Sequence, residues 1–211
     1  MIILENIVKT YGAKNKFEAL KNININIKSG EMTAVMGRSG CGKSTLINIL
    51  GGLTLYTSGK YLFENNLLKN SNNFMCNFRR NNIGFIVQNY ALINNRTAFE
   101  NIAVALDHPD KKKIMNIAQE LGISDILDKF PSEMSGGECQ RTAIARAVIN
   151  NPKLILADEP TGALDTENGI TVMEIIRSLV DKGTTAIIVT HDNQIANKCD
   201  KIIHMKDGMI I

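Results

Sequence analysis

Residues 37 to 44, GRSGCGKS, fit the pattern Gly-x-x-x-x-Gly-Lys-[Ser/Thr]. Those residue types at that spacing suit the holding of phosphate. Gly37, Gly40 and Gly42 let the backbone wrap so that successive N–H groups point inward at anionic oxygens. Lys43 adds a mobile cation for the outer phosphates, and the Ser44 hydroxyl can ligand Mg²⁺. Arg38, Ser39, Cys41 and Thr45 complete the loop.

A second set of chemical groups ends the stretch LILADEP, residues 154 to 160. Asp158 closes an apolar strand at the end where α/β sheets place their ligands, and its carboxylate can hold Mg²⁺ directly or through water. Glu159, next to it, can polarise a water that attacks a terminal phosphate. A third stretch, MSGGECQR at 134 to 141, resembles a phosphate loop without a lysine. Its Ser-Gly-Gly precedes a helical pattern, and a helix N-terminus attracts anions.

The elements that must position these groups follow from periodicity. In ALKNININIKSG, Ile23, Ile25 and Ile27 face one way and Asn22, Asn24 and Asn26 the other, the alternation of a strand. EMTAVMG reads as a short buried strand and KSTLINILGGL as a helix stopped by Gly51-Gly52, so the first phosphate loop has its expected strand–loop–helix setting. A polar, asparagine-rich connector leads to a strand at IGFIV, 83 to 87. From about 97 to 150 the period is helical, with helices predicted in TAFENIAVAL, KKKIMNIAQELGI and GECQRTAIARAVIN. KLILAD and TTAIIVT are buried strands around the helix ENGITVMEIIRSLVDKG, and two short strands close the chain in KIIHMKDGMII. Strands alternating with helices predict an α/β fold with a parallel sheet and an inserted all-helical lobe.

The chain has 211 residues and a formal charge of +3, enough for one domain with an insertion. Its densest basic run, Lys111-Lys112-Lys113, reads as a solvated helix start and not as a nucleic-acid footprint. Four widely spaced cysteines with no Cys-x-x-Cys pair argue for reduced thiols. Neither a signal-peptide pattern nor an apolar run of the roughly 20 residues needed to span a bilayer is present, so a soluble, cytoplasmic protein is expected.

Further residues narrow the reading: Gln88 closing the IGFIVQ strand, MSGGE, GALD after the acids, and a histidine ending IIVTHD. In that order they closely resemble the nucleotide-binding subunit of an ABC transporter, from Tyr11 to the KDGMII tail. The resemblance implies a P-loop NTPase with a RecA-like core and parallel sheet, an N-terminal antiparallel β subdomain and a helical lobe. Residues 1–211 would form a single ATPase domain, with the lobe at about 89–150 and the rest in 1–88 and 151–211. It also implies ATP and Mg²⁺ as ligands and a head-to-tail dimer, expected to be a homodimer. In that dimer each ATP lies between the P-loop of one subunit and the Ser-Gly-Gly loop of the other.

By the same resemblance Tyr11 stacks on adenine, and Gln88 reaches Mg²⁺ and the attacking water. Glu159 is the general base and His191 contacts the γ-phosphate. Ser135, Gly136, Gly137 and Glu138 would serve the partner's ATP, and Asp165 would sit at the dimer interface. The Gln88–Asn95 loop would dock an integral membrane permease, placing the subunit on the inner face of the cell membrane. The likeness is strongest to the macrolide-exporter and lipoprotein-release branch, with relatives in antimicrobial-peptide transport. Export or extraction of such cargo is therefore expected.

Met134 and Glu138 stand where the family carries leucine and glutamine. Methionine conserves volume, whereas the carboxylate is expected to weaken the ATP sandwich slightly. Cys41 and Cys139 read as small, inert fillers; the alternative is thiols made reactive by neighbouring N–H groups. A soluble ABC-type ATPase acting on nucleic acid or ribosomes is the alternative function. Its chromosome-maintenance members insert a coiled coil and its translation members carry two cassettes, and neither feature is present. A P-loop kinase would leave the Ser-Gly-Gly loop and His191 without a purpose.

Overall fold

The computed structural model describes residues 1–211. The chain opens with two long antiparallel strands, β1 (Ile2–Tyr11) and β2 (Phe17–Ile27). Strand β3 (Met32–Met36) leads through the glycine loop into helix α1 (Lys43–Leu50). Strands β4 (Ser58–Phe63) and β5 (Asn66–Leu67) and helix α2 (Asn72–Asn82) precede β6 (Ile83–Val87). Helices α3 (Ala98–Ala103), α4 (Lys111–Glu120) and α5 (Gly136–Val148) follow. Then come β7 (Leu154–Asp158), α6 (Thr166–Asp181), β8 (Thr185–Thr190), the single turn α7 (Asn193–Ala196), β9 (Lys201–Lys206) and β10 (Met209–Ile210).

Two sheets result. One is antiparallel, in the order β2-β1-β4-β5; the other has the order β10-β9-β3-β8-β7-β6 and is parallel from β9 to β6. The central strands are continuously apolar because both of their faces are covered. Leu154, Leu156, Ile187 and Val189 join a core shared with the antiparallel sheet and α1. Ile155, Ala157, Ala186 and Ile188 join a second core, which also takes Ile102 of α3, Ile114 and Ala118 of α4, Ile144 of α5 and Val172 of α6. The helices between 97 and 150 thus share one apolar core with the sheet.

The stretch between Gly52 and Ile83, which the sequence suggests is a polar connector, contains β4, β5 and α2. Its apolar residues are few but large. Tyr61 and Phe63 pack edge-on against Phe78 at centroid separations of 6.1 and 5.0 Å. The buried Tyr61 hydroxyl donates to the Leu50 carbonyl at 3.0 Å, closing the C-terminal end of α1, and burial pushes its pKa up. Helix α2 buries only Met75 and Phe78, a stripe too sparse to register as helical periodicity.

Candidate functional site

Strands β3, β8, β7 and β6 are neighbours and end in register: Met36 pairs with Thr190, Asp158 with Val189, and Val87 with Asp158. The residue after each strand is therefore one of Gly37, His191, Glu159 and Gln88. This is the carboxyl edge of the sheet, where α/β proteins place ligands. A cleft of about 640 Å³ lies there, lined by Gly37, Arg38, Ser39, Gly40, Gly42, Lys43, Ser44 and Thr45 from the glycine loop. Gln88, Asp158, Glu159 and His191 complete its polar lining.

Gly42 has φ +108°, and a Cβ there would stand 2.8 Å from the Ala19 carbonyl oxygen, so only glycine fits. It caps α1 without any side-chain hydrogen bond, and no acid lies in the first turn of the helix. The first-turn N–H groups are thus left for an anion, aided by the helix dipole. Lys43 Nζ donates to the carbonyls of Gly37 at 2.6 Å and Arg38 at 3.1 Å, which holds the ammonium at the loop mouth. Asp158 is half-buried; desolvation first and Glu159 second raise its pKa, while Lys43 opposes them.

Glu159 carries φ +47°, left-handed backbone at a non-glycine residue, which costs about 1–3 kcal/mol and marks a constrained position. Its N–H donates to the Val189 carbonyl at 2.9 Å. One carboxylate oxygen lies 2.6 Å from His191 Nδ1, and the other accepts from the Thr190 hydroxyl at 3.2 Å. The hydrogen bond and charge of Glu159 raise the pKa of His191. Gln88 is exposed, and its amide lies over Gly162, where a Cβ would come within 2.8 Å of Nε2.

No group of three or more His, Cys, Asp or Glu side chains is clustered for metal binding. The oxygen donors in the cleft, Ser44, Asp158 and the Gln88 amide, instead match the few hard ligands that Mg²⁺ takes beside phosphate oxygens.

The structure separates two predicted ligand residues from the cleft lining. Cys41 is buried with its Sγ beneath Gly37, where a Cβ would approach it to 2.6 Å. Tyr11 is 40% exposed on β1, its ring faced by Lys9 Nζ at 4.6 Å. The aromatic that does line the cleft is Phe17, which pairs with Tyr11 across the strands and is 64% exposed. Sequence reasoning missed it, because only the pairing of β1 with β2 sets it beside the cleft.

The MSGG stretch lies outside the cleft lining. Ser135 caps α5: its hydroxyl accepts from the Glu138 N–H at 3.3 Å, and Glu138 Oε2 accepts from the Ser135 N–H at 2.7 Å. These bonds, the backbone one first, hold Glu138 below the usual carboxylate range. The carboxylate is thus turned back onto its own helix start. Met134 fills its place against the second core, with Sδ 3.8 Å from the Thr142 hydroxyl. Cys139 is buried, and desolvation, then Glu138, raise its thiol pKa, which opposes the reactive-thiol alternative. Asp165 caps α6, accepting from the Asn168 N–H at 2.9 Å.

The loop after Gln88 is braced at both ends. Tyr90 and Ala91 are both left-handed, with φ +57° and +48°, and Arg146 of α5 donates to their carbonyls at 2.9 and 2.7 Å. Buried Asn101 donates to the Ile93, Arg96 and Thr97 carbonyls, leaving Asn94 and Asn95 exposed.

Comparison with known proteins agrees with this geometry. The ABC transporter family model matches residues 20–162. An uncharacterised ABC transporter ATP-binding protein of Methanocaldococcus jannaschii is 44% identical, with 100% of this chain and 98% of that protein covered. The macrolide export ATP-binding/permease protein MacB of Campylobacter jejuni is 42% identical over the whole chain, which spans 34% of that longer protein. Among solved structures, the dimeric structure of a post-hydrolysis state of an ATP-binding cassette bound to ADP and Pi superposes with a TM-score of 0.90 at 37% identity, covering 100% of this chain and 96% of that one. The same cassette in another dimeric structure gives 0.90 at 38% over the same shares. The chain belongs to the ABC transporter family, as its ATP-binding, ATP-hydrolysing cassette.

Proposed function

We propose that two copies of this chain close head to tail around two ATP molecules and drive a separate membrane permease. One observation carries the reading. The chain holds one complete phosphate cradle, and its second helix start, Ser135 to Gly137, lies outside that cleft with Ser135 and Gly136 exposed. A loop of that kind suits an ATP bound to another molecule.

In this reading the glycine-loop N–H groups and Lys43 bind the β- and γ-phosphates. Ser44, Asp158 and Gln88 would hold Mg²⁺, which supplies charge neutralisation when bound. Glu159 takes a proton from the attacking water at Oε1 or Oε2, with Thr190 and His191 fixing its rotamer. His191, whose pKa the hydrogen bond and charge of Glu159 raise, would turn its ring toward the departing phosphate. Tyr11, with Phe17 beside it, provides the aromatic surface for adenine. Asp165 would sit at the dimer seam.

No helix of residues 1–211 is long and apolar enough to cross a membrane, so the proposed permease lies outside these residues. The rigidly braced Gln88–Asn95 loop is the surface proposed for it, on the inner face of the cell membrane. A cargo of the macrolide, peptide or lipoprotein kind, exported or extracted, completes the proposal; the MacB relatives, named for macrolide export, support the general transport role. Light scattering on Glu159→Gln with and without MgATP tests the clamp. A monomer that dimerises only with MgATP is expected; a protein that binds ATP and stays monomeric would rule out the homodimer.

A further inference from the structure

Gln140 lies on the second turn of α5 and has no exposed surface. Its Nε2 donates to the Pro160 carbonyl at 2.6 Å, while its Oε1 has no partner. A buried amide with an orphaned oxygen is unfavourable compared with an apolar side chain of equal volume. Simple core filling therefore does not account for it.

What it holds is the turn after Glu159. That residue sits at φ +47°, and left-handed backbone at a non-glycine residue persists only where its surroundings fix it. Two backbone bonds do part of this: Glu159 N–H to Val189 O at 2.9 Å, and Gly162 N–H to Glu159 O at 3.1 Å. Both belong to the strand and turn themselves. Gln140 reaches the same turn from α5, the helix that Ser135 caps. Gly137 on that helix also packs against the start of α6, where a Cβ would stand 2.1 Å from Asn168 Oδ1. A helix is rigid over one turn, so a displacement of its first residues is delivered to the Pro160 carbonyl.

We infer that Gln140 is a positioning residue for Glu159, through which engagement of Ser135–Gly137 with a second copy's nucleotide aligns this chain's own base. This rests on Glu159 being the base, as proposed above. The contact couples the two ATP sites within a single polypeptide: the loop that serves one nucleotide braces the carboxylate that serves the other.

The test is steady-state ATP hydrolysis by the full chain carrying Gln140→Met, which keeps the volume and removes the donor. We expect kcat to fall about tenfold, as for a slightly misplaced catalytic group, with KM for ATP within about twofold. In a Glu159→Gln background the same change should alter residual turnover by less than about twofold, because two residues acting as one unit are not additive. An unchanged kcat, a KM that rises in step with a lost kcat, or a second tenfold fall in the Glu159→Gln background would each overturn the proposal. If Gln140→Met melts below the assay temperature, Gln140→Asn, which withdraws the amide by one methylene, is read by the same criteria. Failure of the base assignment looks different: Glu159→Gln would then keep full turnover, whereas failure of this proposal leaves Glu159→Gln inactive and Gln140→Met wild type.

Discussion

The two phosphate-type helix starts of this chain differ in what their donors already do. At α1, glycine caps the helix with no side-chain bond and no acid follows in the first turn. At α5, Ser135 and Glu138 form a reciprocal capping box that occupies two first-turn N–H groups. Capping residues stabilise a helix by about 1 kcal/mol, and the same donors cannot simultaneously bind an anion. The first loop is therefore open to a ligand as it stands, at some cost in helix stability. At the second, the Ser135 and Glu138 N–H groups are satisfied internally, while the Ser135 hydroxyl, which only accepts in the cap, keeps its proton for a phosphate beside the Gly136 and Gly137 N–H groups. A site that binds alone and a site that binds only when brought to a ligand have been built from the same helix-terminus physics.

The largest expected effect separates the two loops outright. Lys43→Ala should weaken ATP binding to the monomer by about 100-fold, the size of a lost charge-assisted contact to phosphate. Ser135→Ala should leave monomer affinity within about twofold and lower α5 stability by about 1 kcal/mol. Calorimetric titration with MgATP and thermal melts check both; a large affinity loss in Ser135→Ala would erase the distinction.

Gly137→Ala comes next. Its Cβ would strike Asn168 Oδ1, the acceptor of an Arg141 contact at 3.3 Å, and Asn168 also donates to Asp165 at 2.8 Å. Moving Asn168 disturbs the Asp165 cap, so the MgATP dimer of the Glu159→Gln protein should weaken about tenfold, read by sedimentation, with P-loop affinity unaltered. A smaller gain is expected from Glu138→Gln. Glutamine retains the capping geometry without the charge, and the MgATP dimer should tighten by about threefold at low ionic strength, less at high salt. Equal affinities at both salt concentrations would mean that the carboxylate does not act on the bound nucleotide by charge.

The smallest effect is a titration. Glu159 raises His191 above its ordinary pKa of 6.5, so the folded state binds this proton more tightly than the unfolded one. The pair's contribution to stability is complete below pH 6.5 and is lost as pH rises through the raised value. An NMR titration of the three histidines should show this shift at His191, and Glu159→Gln should reduce it.

Much of the fold could be read from the sequence where the physics is local. Continuous apolar strands such as LILAD mean burial on both faces, and Gly51-Gly52 ends α1 with Gly52 at φ +67°. The β4–β5–α2 segment was not readable, because its stability comes from Tyr61 and Phe63 of β4 meeting Phe78 of α2. The phosphate loop was legible for the opposite reason: spacing along eight residues is itself the geometry. Phe17 was missed because only strand pairing puts it beside the cleft.

The sequence by itself determined the residue types and their order: the glycine loop with Lys43, the paired acids, Gln88, Ser135 and His191. Those choices are written in short contiguous stretches whose backbone needs no distant partner. Tertiary structure alone decided which groups meet. Strand register brought Gly37, Gln88, Glu159 and His191 to one edge. Gln140 reached Pro160 across twenty residues of chain. Such contacts depend on side chains filling a shared interior, and no single stretch of sequence contains both partners.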